Sequence, residues 1–428
     1  MIMSWGKLND GHTIGMEKEF IIVDPNGNPV DCTSIENACS DDRINHDYPS
    51  ALGFSVWGIE INSHPYENLT DLNTEMKEMV TKVRDEATGR GYKIMTAARH
   101  PDKGGYMAMH THVGAADDRE ALFVTKALRA HLPEIIALAS NSPKKGTLGK
   151  WCKDARIYST NMGGTQYGRT IPNDPVVYGD EDRAHSEVLS FKRERWDGRG
   201  VVIAGEKDSD RLKGTVEVRC PDAQLTAEED VAVAAFIWGI AEFAKKEMAS
   251  GNYDWTELAN KEHERNDLQD QLEQVYHAGI FSAMGRGIRK FFGKETDGDQ
   301  QYAQLSSQLD ASDTWLADHR PAYDIAMDND VLKKNIDEVG YGGMDGTITY
   351  SKDGQDVEVA AKDAIKETYE KIKPVLDDLK IPDDVRERLE ARVYSGRSGA
   401  DVQIDAVNDG EDLASYVIEK STNMEYLV

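Results

Sequence analysis

Along the first half of the chain, short stretches of alternating apolar and polar residues are separated by longer stretches with a helical period. Residues 12–24, HTIGMEKEFIIVD, alternate and then run apolar, a strand in pattern. PNGNP at 25–29 is a turn signal. Strand patterns recur at 56–62 (VWGIEIN), 106–114 (YMAMHTHVG) and 214–220 (GTVEVRC). Between them, residues 71–91 read as a helix closing at glycine, and 118–140 as one or two helices with Pro133 marking a kink or break. The helical stretch 226–251 starts with Thr226 and Glu229 at capping-box spacing and ends with Lys245, Lys246 and Gly251. Residues 144–213, rich in Gly, Arg, Asp and Asn, read as long loops and short elements over a site. From 252 onward the pattern is charged and mostly helical. It has amphipathic helices at 314–339 and 361–379, and a hairpin at 346–360 turning on Asp353-Gly354. The reading is α+β: a region 1–251 with 144–213 as a loop-rich insertion, then a mostly helical acidic region 252–428.

Composition narrows the function classes. The chain has 428 residues, so a 39% hydrophobic content suffices for a sizeable core. Its 77 acidic against 50 basic residues give a net charge of −27, a field that repels nucleic acid and anionic membranes. Such a surface suits a high-salt cytoplasm and also falls within ordinary acidic composition. Cys32, Cys39, Cys152 and Cys220 form no CxxC and no zinc spacing, as expected of reduced, mostly structural thiols. Cys220 reads as a core thiol and Cys152 as a surface one. The first residues carry no signal-peptide apolar core, and no apolar run approaches the ~20 residues of a membrane span. A soluble, cytoplasmic protein is expected.

The strands share a polar signature. Residues i and i+2 of a strand lie on one face, ~6.6 Å apart. Glu17 and Glu19 therefore share a face with Gly15, opposite Ile14, Met16, Phe20 and Ile22. Glu60 pairs likewise with Asn62, His110 with His112, and Glu217 with Arg219. Taken singly, each pair fits a solvated outer face. Four such pairs are all residues that ligate metals or contact phosphate. Carboxylates converging on one face repel unless divalent cations neutralise them, and hard oxygen ligands favour Mg²⁺ or Mn²⁺ over zinc. No Walker A sequence is present, and no GxGxxG follows a strand. Lys18 is the exception, a lysine on the apolar face, expected to snorkel or sit near an edge. Asp222 reads as a turn residue, and His64 and His100 as loop residues.

In order along the chain, GMEKEFIIVD (15–24), GIEINSHP (58–65), MHTHVG (109–114), LASNSP (138–143) and VEVRCPDAQLT (216–226) form a series. This series resembles the second type of glutamate–cysteine ligase, the carboxylate–amine ligase family of the glutamine synthetase superfamily. The resemblance covers about residues 10–250. It implies an antiparallel sheet with helices on one face, whose concave face binds ATP as co-substrate and two or three Mg²⁺. Carried over by position, Glu17, Glu19, Glu60, Glu217 and His110 are metal ligands, and His112 and Arg219 contact nucleotide. Arg219 and Glu217 are the catalytic pair, with Arg219 as phosphate or acyl-phosphate clamp. Asn141 and Ser142 fall where the family lines its acid-substrate pocket. Arg156 is the nearest match to the arginine of a following Ser-x-Arg motif, with different spacing.

The implied reaction is ATP-dependent amide formation from small-molecule carboxylate and amine substrates through an acyl phosphate, with γ-glutamyl transfer to cysteine as the leading case. Isopeptide hydrolysis or ligation of a protein tag on the same sheet is one alternative. A non-catalytic nucleotide-binding protein is another. The oligomeric state is left open, a homo-oligomer included.

Overall fold

The structure is a computed structural model. It describes residues 12–47, 58–116, 118–146, 149–157, 189–192, 215–250, 329–352 and 355–425, with scattered helical positions between 261 and 312. By internal contacts the chain falls into one unit of residues 1–245 with 327–428, and another of residues 246–326. In the second unit the longest described run is helical, at 303–312.

The first unit is built on a mixed-length sheet of β1 (Ile14–Val23), β2 (Ile44–Asp47), β3 (Gly58–Asn62), β4 (Lys93–Met95), β7 (Met109–Gly114), β10 (Leu189–Lys192) and β11 (Thr215–Val218). Its order is β10-β11-β7-β1-β3-β2, with β4 added along the far end of β1. Every pairing is antiparallel. Two small ribbons, β5 (Arg99–His100) with β6 (Gly104–Tyr106) and β8 (Lys144–Lys145) with β9 (Trp151–Cys152), complete this part. The expected turn after β1 forms around Asp24, whose carboxylate accepts from the backbone N–H of Asn26 and Asn28 at 2.8 Å each.

The alternating pattern decides which face is covered. Ile14, Met16, Phe20, Ile22, Ile59, Ile61, Met109, Val113, Val216 and Val218 are fully or almost fully buried. Against that face stand α1 (Thr33–Cys39), α2 (Leu69–Gly89), α3 (Asp118–Ala130), α4 (Leu132–Ala139) and α5 (Ala227–Ala249), all sharing its core. The helix expected over 118–140 breaks at His131, so that Pro133 lies in the first turn of α4, where its missing N–H costs nothing. At the start of α5 the expected reciprocal bonds form: the Glu229 N–H donates to Thr226 Oγ1 at 3.3 Å, and the Thr226 N–H to Glu229 Oε2 at 3.2 Å.

The C-terminal segment supplies α6 (Asn329–Gly342), the hairpin β12 (Thr347–Lys352) and β13 (Gln355–Ala360), then α7 (Ala361–Asp378), α8 (Asp383–Ser395), α9 (Gly399–Asn408) and α10 (Leu413–Asn423). The hairpin register leaves two residues for its loop, as an Asp-Gly turn requires; those two lie outside the described residues. A boundary at 251 makes 252–428 one region, whereas the contacts return 327–428 to the first unit. The physical reason is a shared core. Leu332, Ile336, Ile365, Tyr369, Leu389 and Val393 belong to the same buried cluster as β1 and α5. α5 is buried nearly all round from Ala227 to Glu242, and a side chain at Gly239 would meet Ile372 and Leu376 of α7. Arg392 of α8 reaches Glu229 at 3.2 Å and the Leu138 carbonyl at 3.3 Å, all of them buried.

Lys18 does not snorkel. It is fully buried, with Nζ donating to the Gln224 carbonyl at 2.7 Å and to the Asp230 carboxylate of α5. Burial is the larger influence on Asp230 and pushes its carboxyl up to about 6 despite the lysine.

Candidate active site

The register of the sheet aligns the polar pairs into rows. Glu17 lies opposite Asn62 on one side and His110 on the other. Gly15 lies opposite His112, and His112 opposite Glu217. Glu19 lies opposite Glu60. Residues from β1, β3, β7 and β11, up to 200 positions apart in the sequence, thus gather on the face away from the helices.

At the centre, Glu17 bridges the two histidines. Its Oε2 is 2.8 Å from His110 Nδ1 and its Oε1 is 3.1 Å from His112 Nε2. Glu217 Oε1 lies 3.6 Å and 3.9 Å from the same two nitrogens. Glu217 is fully buried and accepts from the Arg219 guanidinium. Ligand atoms of Glu17, His112 and Glu217 all fall within 4.8 Å of one another, close enough to share one cation. Beside them, Glu60 Oε1 accepts from Asn62 Nδ2 at 2.8 Å and Glu19 Oε2 from the Ala108 N–H at 2.8 Å. Glu19 and Glu60 face each other directly across the strands, an arrangement of like charge that destabilises a sheet unless a cation lies near.

Both histidines lie between the two carboxylates: His110, expected in the metal set, is the nearer to each, and His112, expected at the nucleotide, also has a ring nitrogen within reach of both. The register places His112 in one row with Gly15 and Glu217.

Electrostatics sharpen the two partners of Glu17. Burial raises its carboxyl, but the His112 charge and the hydrogen bonds from both histidines more than offset that and hold it well below the usual carboxylate range. Burial, and after it the Arg219 guanidinium, hold the His110 imidazole down to about 4. His110 thus stays neutral in the folded protein while its unfolded counterpart, with an ordinary value near 6.5, takes a proton as pH falls. Stability contributed by this neutral histidine is present above about 6.5 and is lost as pH falls toward 4. The metal-free protein therefore loses stability over that window, and His110→Asn flattens the slope by roughly one proton. Urea midpoints at pH 4.5 and 7 for both proteins measure this; equal slopes would remove His110 from the account.

The expected substrate residues are engaged around Asp222. Asn141 and Ser142 are fully buried at the end of α4. The Asn141 N–H donates to Asp222 Oδ2 at 2.9 Å, its Nδ2 to the Ala223 carbonyl at 2.8 Å, and its Oδ1 accepts from Gln403 at 2.7 Å. Arg156 binds Asp222 through Nε at 2.9 Å. The structure thus gathers all three on Asp222, and the polar face of the sheet is formed without them. Most of the stretch expected to cover the site, 158–188 and 193–214, lies outside the described residues.

Cys152, expected at the surface, is buried with Sγ 3.3 Å from the Gly340 carbonyl. Burial pushes its thiol and that of Cys220 up, which removes both as nucleophiles. The two loop histidines are engaged: His64 Nδ1 lies 2.6 Å from the buried Glu75, and His100 Nε2 lies 2.8 Å from the Gly27 carbonyl. Nothing in the local sequence marks these partners.

Residues 105–278 match the model of the family described as glutamate-cysteine ligase family 2, and that span carries the histidine strand and the Glu217–Arg219 strand. Over those residues the chain is similar to that ligase family. The glutamate–cysteine ligase of Natronomonas pharaonis is 25% identical over 350 residues, covering 69% of this chain and 92% of the relative. The putative glutamate–cysteine ligase 2 of Bordetella avium is 25% identical over 371 residues, covering 78% and 82%. In fold, the chain is similar to the crystal structure of glutamate–cysteine ligase from Francisella tularensis in complex with AMP. The TM-score is 0.53 at 10% identity, over 98% of this chain and 90% of that one. The resemblance carried by the five sequence motifs is borne out, and so is the antiparallel α+β fold. These sequence matches support a ligase that forms carbon–nitrogen bonds. No described helix is long and apolar enough to cross a membrane.

Proposed function

We propose that this ligase activates a carboxylate as an acyl phosphate and couples it to an amine, with glutamate and cysteine as the leading substrate pair. The observation that carries the proposal is the convergence of Glu17, His112 and Glu217 to within 4.8 Å, with the Arg219 guanidinium on Glu217. Two carboxylates and an imidazole suit Mg²⁺ or Mn²⁺, held by Glu17, His112 and Glu217, with Glu19 and Glu60 as the neighbouring acidic pair. A divalent cation in that set would neutralise phosphate oxygens during phosphoryl transfer.

The chain's own groups supply the rest. A carboxylate is a poor electrophile and forms only a salt with an amine; converting it to an acyl phosphate gives a leaving group the amine can displace. Arg219 projects from the same face as the carboxylates and offers a planar fork of donors to phosphoryl oxygens. Glu217 orients that fork, because its Oε1 accepts from Arg219. Neutral His110, hydrogen-bonded to Glu17, fixes the direction of that carboxylate.

Incubation with MgATP and a library of acid–amine pairs, following phosphate release and the mass of the product, tests the proposal. Phosphate release that requires both an acid and an amine supports ligation. Cleavage of an isopeptide without nucleotide turnover makes the protein a hydrolase, and no MgATP binding at millimolar concentration removes the enzymatic reading. Arg219→Lys lowers turnover by about 10²-fold, since an ammonium cannot reproduce the two-point contact. Steady-state kinetics with the best pair checks this, and a loss of less than threefold would move Arg219 to a purely structural role.

A further inference from the structure

Immediately after β11, the chain leaves the sheet ladder at Arg219 and Cys220 and turns through Pro221 toward α5. The carbonyls of Arg219 and Cys220 both accept from one side chain: Arg156 Nη1 donates to the Arg219 carbonyl at 3.2 Å, and Arg156 Nη2 donates to the Cys220 carbonyl. The third side of the same guanidinium, Nε, binds Asp222 at 2.9 Å. Three points of one turn, at Arg219, Cys220 and Asp222, are thus held by one planar group.

That group is itself fixed from behind. The other oxygen of Asp222 takes the Asn141 N–H, and Ser142 Oγ accepts from the Arg156 N–H at 3.3 Å. Asn141 is held in turn by Gln403 of α9, and the Ala400 N–H donates to the Ser140 carbonyl at 3.0 Å. Asp154, buried two residues before Arg156, adds near the guanidinium a second carboxyl, which burial and then Asp222 push well above the usual carboxylate range. The C-terminal helix α9 thereby reaches the active face through a chain of bonds.

We infer that Arg156 is a positioning residue. By holding the Arg219–Asp222 turn it keeps the Arg219 guanidinium beside Glu217 on the polar face, and it does not bind the acid substrate. This rests on the reading of Arg219 as a phosphate contact. It assigns to the segment 140–156, and to α9 behind it, the support of the nucleotide end of the site.

The test uses the full chain and two probes, MgATP by calorimetry and glutamate by steady-state KM. Arg219→Gln weakens MgATP binding. Arg156→Gln produces the same MgATP-specific loss, about 10-fold or more, with the glutamate KM unchanged. Arg156→Lys keeps the charge between Asp154 and Asp222, and so the fold, but bonds only part of the turn; it shows a smaller loss of the same kind. The Arg156→Gln/Arg219→Gln double variant binds MgATP no more weakly than Arg219→Gln alone, as expected when one residue acts through the other. Multiplying effects in the double variant, or a rise confined to the glutamate KM, would overturn the inference and make Arg156 a substrate contact. Unchanged MgATP affinity in a folded Arg156→Lys protein, with Arg219→Gln weakened, overturns the inference alone. A wild-type protein that does not bind MgATP overturns the ligase reading itself and this inference with it.

Discussion

Glu217→Gln folds normally and loses ATP-dependent ligation by at least about 10²-fold, the magnitude set by removal of one preorganised charge from a buried site. Glutamine has the shape of glutamate and can still accept from Arg219, so β11 keeps its place between β7 and β10. What disappears is one of the two carboxylates of the Glu17–His112–Glu217 set. The stability of the metal-free protein changes little, because two effects oppose. Arg219 loses its charged partner, while Glu17 loses a like-charged neighbour across His112. Divalent-cation titration and steady-state turnover, alongside circular dichroism, measure the three quantities separately. Turnover within a fewfold of wild type would dissolve the metal-site assignment and leave the acidic face unexplained.

Lys18→Met destabilises the fold by about 3–5 kcal/mol, the cost of leaving a buried charge without its partner. Asp230 is fully buried and also takes the Gln224 N–H at 2.9 Å, so it cannot turn toward water. The pH dependence identifies the mechanism. Burial already holds the folded Asp230 carboxyl up at about 6, above its ordinary value of 3.8. A carboxyl raised in this way contributes stability that is present below about 4 and lost as pH rises through 6. Without Lys18 the carboxyl rises further, so the deficit of Lys18→Met is larger at pH 8 than at pH 5. Adding Asp230→Asn recovers most of it at both. Denaturation midpoints for the two single variants and the double variant give the coupling. A deficit independent of pH, with no recovery in the double variant, would mean that methionine fails by packing instead.

Several parts of the active face were legible from residue order alone. Alternation is local: once a stretch is a strand, its two faces follow from a period of two, and Glu17, Glu19, Glu60, Asn62, His110, His112, Glu217 and Arg219 are assigned to one side without any tertiary knowledge. The capping box at Thr226, the break before Pro133 and the hairpin at 347–360 are local in the same way. The family resemblance added the metal and nucleotide roles, which period and composition do not contain.

Other features were decided by partners far away in the chain. Lys18 contradicts its apolar face until Asp230, 212 residues on, is placed behind it. Asn141, Ser142 and Arg156 carry a motif that suggests a substrate pocket, yet Asp222 draws all three toward the exit of β11. That both histidines lie between Glu17 and Glu217 depended on cross-strand register. Helices α6 to α10 read as a separate region because their amphipathic faces do not reveal what they cover: α6 and α7 pack on α4, α7 and α8 reach α5, and α10 packs on β4. The sequence by itself determined the strands, their two faces and the chemical character of one of them, because covalent geometry imposes those periods. The tertiary structure decided which carboxylate meets which cation and which segment supports which, because those are contacts between residues that the chain leaves hundreds of positions apart.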